Sequence, residues 1–289
     1  MVNLSSKQKK LFGIINNAKV DPRNKLNDLT GKEWIQFTKS WFIFDALASD
    51  LKEEEKVTKE TKQHPATFSP TLIEEFIRFF TKKNELVLDP FVGIGSTLVA
   101  CDRQQRRGIG IELNEKFAQI AQKRTSQRVI IGDSTKISGM NLPQIDFCIT
   151  SPPYSDMLTK IDVSQKKRIK KNLQTKYSDL PADLGNIKDY DVFLDVLSNI
   201  FFDIYDITKE NGYLVIIIQN FRQKEYMVPL AWDLTKKLST KWVFKGEKIW
   251  LQNHKPLHPF GYPFDYVSNV HHHYCLIFKK MNNPSETIK

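Results

Sequence analysis

The order of apolar segments predicts an α/β fold: a mostly parallel sheet of seven strands, covered by helices on both faces and ending in an antiparallel hairpin. Three features carry that expectation. From residue 85 onward, strand-length apolar runs alternate with stretches whose apolar residues recur at helical spacing. The run Ile145-Asp146-Phe147-Cys148-Ile149-Thr150 reads as a buried parallel strand. The last two strands are joined by an irregular loop with no helix between them, which predicts antiparallel pairing.

Residues 1–63 read as a helical N-terminal extension and 64–289 as the main domain. The extension is polar apart from an aromatic patch at 34–44, expected to pack on the main domain or to mediate self-association. Residues 50–62 are almost wholly polar and read as an exposed helix or linker. In 71–80, Leu72, Ile73, Phe76, Ile77, Phe79 and Phe80 recur at helical spacing. Strand 85–89, helix 96–105, strand 107–111, helix 115–125 and strands 128–131 and 145–150 follow. A basic insertion at 155–188 precedes helix 190–208. Strand 213–219, helix 229–238 and strands 242–251 and 272–278 complete the pattern.

A chain of 289 residues with 40% hydrophobic content can hold one large α/β domain with a small appendage, or two modest domains. No apolar stretch approaches the ~20 residues needed to span a bilayer, and the N-terminus lacks the apolar run of a signal peptide. Three separated cysteines in no metal-ligand spacing argue for a reducing, cytoplasmic setting without disulfides. The formal net charge of +10 favours a polyanionic partner, and nucleic acid is the commonest.

Two turns carry chemistry. Ser151-Pro152-Pro153-Tyr154 follows the buried strand at the end where open α/β sheets place their ligands. Its prolines remove two backbone donors and leave carbonyl oxygens free to accept. Ser151 adds an acceptor, and Tyr154 adds a face for stacking, so the set suits a planar base with an exocyclic amine. Asp89-Pro90-Phe91-Val92-Gly93-Ile94-Gly95-Ser96-Thr97 is a strand, a glycine turn and a helix start, with Ser96 or Thr97 as candidate cap. Without a third glycine it disfavours a pyrophosphate. Glu112 ends the next strand, where an acid can hold ribose hydroxyls, and Asp133 ends the one after, where a carboxylate can accept from an adenine amine. The ligand implied is an adenosine without a pyrophosphate.

The segments His64-Pro65-Ala66-Thr67-Phe68-Ser69, Asp89 to Thr97, Gly110-Ile111-Glu112 and Thr150-Ser151-Pro152-Pro153-Tyr154 resemble, in this order, the motifs of the amino-directed DNA methyltransferases. The resemblance covers roughly residues 64–280. It implies a Rossmann-like methyltransferase fold, S-adenosyl-L-methionine as cofactor, and double-stranded DNA as partner, with no metal. It implies that Phe91, Gly93 and Gly95 line the methionine part of the cofactor, Glu112 its ribose and Asp133 its adenine ring. The segment bearing His64, Pro65, Phe68 and Ser69 would fold over the methionine tail, and Asp89, Pro90, Ser96, Thr97, Leu113 and Ser134 would complete the cofactor site. Two departures stand out. The cofactor motifs precede the Ser-Pro-Pro-Tyr segment, the reverse of many relatives, and the long target-recognition insert of larger relatives is missing after Gln219.

The resemblance implies methyl transfer to a flipped base, with Ser151 Oγ and the Pro152 carbonyl accepting from the amine and Tyr154 stacked on the ring. Serine at position 151 favours cytosine N4, since adenine enzymes more often carry Asp or Asn there. Adenine N6 is the nearest alternative. Guanine N2 in structured RNA and a non-catalytic DNA-binding module are the more distant ones. Cys148 lies inside the strand and reads as core, which disfavours covalent cytosine-C5 chemistry. His271, His272 and His273 alternate faces in a strand and do not converge on an ion. Lys166, Lys167, Arg168, Lys170 and Lys171 in the insertion, with Arg222 and Lys224 in a later polar loop, are the expected phosphate contacts. The aromatic, proline-rich stretch 253–266 probes a DNA groove, fills the gap left by a flipped base, or packs into the core. A cognate restriction enzyme would fit this family, and monomer and dimer both stay open.

Overall fold

The computed structural model describes residues 19–44, 50, 68–154, 183–223 and 226–281. Its elements are α1 (Gly31–Phe37), β1 (Trp41–Ile43), α2 (Pro70–Phe80), β2 (Leu86–Asp89), α3 (Ser96–Gln104), β3 (Arg107–Glu112), α4 (Glu115–Arg124), β4 (Arg128–Ile131) and β5 (Ile145–Thr150). Then come α5 (Tyr190–Ile207), β6 (Thr208–Ile218), β7 (Phe221–Gln223), β8 (Tyr226–Val228), α6 (Leu230–Leu238), β9 (Val243–Leu251) and β10 (His272–Lys279).

One sheet runs in the order β1-β9-β10-β6-β5-β2-β3-β4. Strands β6, β5, β2, β3 and β4 pair in parallel, whereas β10 is antiparallel to both β6 and β9. The central strands are buried on both faces, and their side chains divide by parity. Leu86, Leu88, Cys148, Leu214, Ile216 and Ile218 join one core cluster, while Val87, Phe147, Ile149, Val215 and Ile217 join another. Period-two alternation therefore sends each strand into two cores at once.

Each core has its own helix. On one face α2 starts with Pro70 in its first turn and presents Leu72, Ile73, Phe76, Ile77 and Phe80 to the sheet. On the other, α5 is capped by the Asp189 side chain, which accepts from the Val192 N–H, and buries Phe193, Leu197, Ile200, Phe201 and Ile204. Truncating one of these phenylalanines to alanine would cost about 3–5 kcal/mol in lost burial and cavity formation.

The sheet has eight strands rather than seven, because β1 pairs in parallel with β9 at the edge. Three residues with a mixed exposure pattern carry no apolar periodicity to reveal a strand. The N-terminal segment is also tied down through α1. Thr30 and Glu33 form a reciprocal capping box, and Phe37 stacks on Phe79 with ring centroids 4.0 Å apart. Lys248 of β9 is buried beneath this segment, donating to the carbonyls of Phe37 and Lys39, with its ammonium 4.4 Å from the Phe37 ring. The polar loop expected around Arg222 is instead a two-stranded ribbon, β7 with β8, outside the main sheet. Strand β6 starts at Thr208, directly after α5, earlier than the apolar run alone signals. No helix among the described residues is long and apolar enough to cross a membrane.

Candidate active site

Chain order reverses between β2 and β5: the chain builds outward from β2 to β4, then returns to lay β5 on the other side of β2. The carboxyl ends of these two neighbours frame a crevice of the kind where open α/β sheets bind ligands. The glycine turn leaves one of these ends and Ser151 to Tyr154 leaves the other.

At the end of β2, Asp89 is 5% exposed and gathers three partners. Its Oδ1 accepts from the Phe91 N–H (3.0 Å) and the Thr150 hydroxyl (2.6 Å), and its Oδ2 accepts from the Thr97 hydroxyl (2.6 Å). One carboxylate thus joins the glycine turn, the first turn of α3 and the residue before Ser151. The turn places Gly93 at φ +54°, and the Gly93 N–H donates to Glu112 Oε2 (2.9 Å). The other Glu112 oxygen accepts from the Asn114 N–H (2.8 Å). Asp133 holds the next strand end, its Oδ1 accepting from the Thr135 N–H and hydroxyl.

The cleft is acidic although the chain is basic. Asp89, Glu112, Asp133 and Asp183 line it, and among the described residues no Lys or Arg does. Burial pushes Glu112 up to about 7, against the pull of its two backbone donors, and the nearby Asp89 and Asp183 charges add to the rise. Burial likewise raises Asp89 above the ordinary carboxylate range despite its three hydrogen bonds.

The other half of the cleft is aromatic. The Tyr154 hydroxyl accepts from the Gln219 N–H (2.8 Å), so the ring is braced against the end of β6. His273 of β10 also lines the cleft, stacked on Trp250 at 4.9 Å and edge-on to Phe68 at 6.3 Å. Burial holds it neutral, with its pKa lowered to about 3, and its Nδ1 has no hydrogen-bond partner. The cleft is open on one side, and the space between its walls, solvent at the mouth included, is about 1190 Å³.

Of the residues singled out from sequence, Phe68, Asp89, Pro90, Phe91, Gly93, Ser96, Thr97, Glu112, Leu113, Asp133 and Ser134 line this one cleft with Ser151, Pro153 and Tyr154. Pro152 is buried behind the turn. Gly95 faces elsewhere: at φ +91° it caps α3, and a Cβ there would sit 2.9 Å from Ala121 Cβ of α4, so helix packing and not a ligand demands glycine. Ser69 is buried and donates to Asp50, away from the cleft. Neither Ser96 nor Thr97 caps α3, since Thr97 serves Asp89 and the buried Ser96 Oγ has no partner. Arg222 lies on β7, where its guanidinium sits 4.9 Å from the Phe260 ring. His64, Pro65, Lys166, Lys167, Arg168, Lys170, Lys171 and Lys224, with most of the 155–188 insertion, lie outside the described residues.

Sequence reading missed Asn114, Thr135, Thr150, Asp183, Leu184 and His273 as lining residues. Thr150 was signalled by its place just before Ser151. Asp183, which accepts from the Gly185 N–H (2.9 Å), and His273 reach the cleft only through tertiary structure. Cys148 is fully buried, its thiol raised by that burial. Among the described residues no three His, Cys, Asp or Glu side chains gather as a metal site requires.

The strand order and its flanking helices define a Rossmann-like methyltransferase fold. TrmN from Thermus thermophilus shares this fold, with a TM-score of 0.51 at 11% identity over 80% of this chain and 53% of that one. Residues 4–123 match a family model described as DNA methylase. The orphan methyltransferase M.BamHII of Bacillus amyloliquefaciens is 32% identical over 83 residues, 29% of this chain and 31% of that one. The type II methyltransferase M2.DpnII of Streptococcus pneumoniae is 42% identical over 69 residues, 24% of this chain and 26% of its own length. The aligned part thus spans under a third of these two relatives. These matches support the likeness to the S-adenosylmethionine-dependent amino-methyltransferases that the motifs carry.

S-adenosylmethionine fits the lining. An acidic cleft suits a sulfonium cation, the buried and unpartnered Ser96 Oγ offers a polar contact, and each Glu112 oxygen keeps a lone pair for a ribose hydroxyl.

Proposed function

We propose that this protein transfers a methyl group from S-adenosylmethionine to an exocyclic amine of a flipped base in double-stranded DNA, with cytosine N4 as the acceptor. The carrying observation is the single cleft that the Gly93 turn and the Ser151–Tyr154 turn line from adjacent strand ends. The cofactor would supply an electrophilic methyl group on a sulfonium.

The chain's own residues then have distinct tasks. Glu112 would hold the ribose hydroxyls, Asp133 the adenine amine, and the Phe91–Gly93 turn the methionine part. The base amine is a weak nucleophile because its lone pair is delocalised into the ring. Ser151 Oγ and the Pro152 carbonyl would accept hydrogen bonds from its two N–H groups and free that lone pair for the methyl group, the sulfur leaving as a neutral thioether and one amine proton passing to solvent. Tyr154, braced by the Gln219 N–H, would stack on the ring. In-line attack then needs orientation more than strong acid or base catalysis. Asp89 keeps the two turns in register through Thr150 and Thr97. Serine rather than a carboxylate or carboxamide at position 151 supports cytosine N4 over adenine N6.

Incubation with methyl-labelled cofactor and duplex DNA, RNA or protein tests the reading, and nucleoside analysis names the atom. N4-methylcytosine is the expected product. N6-methyladenine would move the acceptor to adenine, whereas label found only in RNA or protein would overturn a DNA substrate. The methyl mark and the type II relatives support a restriction-modification setting, in a cytoplasmic enzyme whose binding through the 155–188 insertion falls steeply with salt.

A further inference from the structure

We propose that the β9–β10 loop, residues 252–271, is a stacking surface for DNA bases beside the one in the cleft, a proposal that rests on the reading above. Four large apolar side chains protrude from it: Tyr262 is 81% exposed, Phe264 94%, Tyr266 87% and Leu257 78%. They fill no core, so core packing is not the role of these four side chains. Several large apolar side chains exposed on one loop mark a contact surface.

Its position selects the partner. Leu251 pairs with His272, and Tyr274 pairs with Ile218 at the carboxyl end of β6. The loop therefore rises from the same sheet edge as Ser151 to Tyr154, and His273 at its base is part of the cleft lining. The loop is also built to hold a shape. Across its neck the His258 N–H donates to Asn269 Oδ1 and Asn269 Nδ2 donates to the His258 carbonyl, both at 2.9 Å. At its tip the Phe264 and Asp265 N–H groups converge on the Gly261 carbonyl at 2.7 and 2.8 Å. The Arg222–Phe260 contact of 4.9 Å fastens it to the β7–β8 ribbon, where Tyr226 is 72% exposed.

Everting a base leaves its neighbours unstacked, and preformed aromatic faces at the cleft mouth replace the lost stacking. Phosphate repulsion by the acidic cleft is offset at this rim by Arg222 and by a chain of net charge +10. The rings act on DNA affinity and leave the cofactor site untouched.

The test is a triple variant, Y262A/F264A/Y266A, beside the unaltered protein. The measurements are cofactor affinity by calorimetry, duplex affinity at fixed salt, steady-state methylation and sedimentation. With stacking worth about 1–3 kcal/mol per base, the variant should bind duplex at least about tenfold more weakly. Its KM for DNA should rise in step, while cofactor affinity and melting temperature stay unchanged. Equal duplex affinity and KM in an active unaltered protein would overturn the loop assignment alone. So would a variant whose only change is loss of self-association, which would make the surface a contact between copies. An unaltered protein that binds cofactor but neither binds nor methylates duplex would overturn the proposed function and this inference with it.

Discussion

The ends of β2, β3 and β4 and the ends of β5, β6 and β10 meet in one cleft, yet they are made of opposite materials. The first half is acidic and hydrogen-bonded to backbone: Asp89, Glu112 and Asp133 each accept from N–H groups of the turn that follows or adjoins them. The second is a wall of rings, Tyr154, Phe68 and His273, leading out to an exposed aromatic loop. A strand-end carboxylate takes its geometry from local turns and so recurs in a readable sequence order. An aromatic wall takes its geometry from which strands happen to be neighbours. That is why one half announces itself in sequence and the other only in the fold.

The comparison breaks most sharply at Ser151 and Tyr154. If these residues serve only the target base, S151A and Y154A should each lower methyl transfer at saturating cofactor by roughly 10²-fold, the scale of removing one positioned hydrogen-bonding group. Cofactor affinity should stay within about threefold. Y154F keeps the ring but loses the bond to the Gln219 N–H, so it should fall between. Single-turnover rates with separately measured cofactor binding decide it, and lost affinity with normal turnover would assign the turn to the wrong half.

Glu112 sharpens the other side. E112A removes the acceptor of two backbone N–H groups and should weaken cofactor binding by about 10–100-fold, measured by calorimetry. The pH dependence has two opposed signs. The carboxyl is raised in the folded protein from 4.5 to about 7. Between those values the folded state holds more protons than the unfolded one. Stability without cofactor therefore falls as pH rises through that window, by on the order of 3 kcal/mol, and is level above it. Cofactor affinity should instead increase severalfold between about pH 6 and pH 8 as the carboxylate forms to accept ribose hydroxyls. E112Q should flatten both curves.

How far the sequence reached follows the same division. The β2, β3 and β4 ends were legible because Gly-x-Gly, Glu and Asp close three successive apolar runs, a combination that solvated strand ends do not explain, and the β5 end because Ser-Pro-Pro-Tyr follows it. Gly95 shows the limit: the same Gly-x-Gly spacing serves the cleft at Gly93 but α4 packing at Gly95, and only the approach of Ala121 distinguishes them. Strand β1 was invisible because three half-exposed residues bury too little to leave a pattern. His273 was read, by alternation, as a strand residue. Alternation does place it in β10, but what it faces depends on Trp250 and Phe68, far away in the chain.

Asp89 bridges the halves, and D89N asks how tightly they are coupled. An amide keeps one acceptor and turns the other position into a donor facing the Thr97 or Thr150 hydroxyl. Relieving the burial of a charge offsets part of that loss, so the net destabilisation should be about 1–2 kcal/mol by denaturant melting. Because Thr150 precedes Ser151, the change should lower both cofactor affinity and turnover, by about 10-fold each. A defect confined to one of them would mean that the two turns are positioned independently.

The smallest expected effect is at Asp133, and it is the most selective. Its Oδ1 is occupied by the Thr135 N–H and hydroxyl at 2.9 and 2.7 Å, an arrangement asparagine can reproduce with its carbonyl oxygen. D133N therefore keeps the turn and changes only the second position, from an acceptor to an N–H donor. An adenine amine needs the acceptor, so cofactor affinity should fall only severalfold, about 1 kcal/mol, with no change in melting temperature. A deaminated cofactor carrying a ring carbonyl in place of that amine should reverse the preference, binding D133N better than the unaltered protein. Calorimetry on the two proteins and two cofactors gives four affinities. Without a crossed preference among them, Asp133 would be a turn residue that merely borders the cleft, and the acidic half would read the sugar alone.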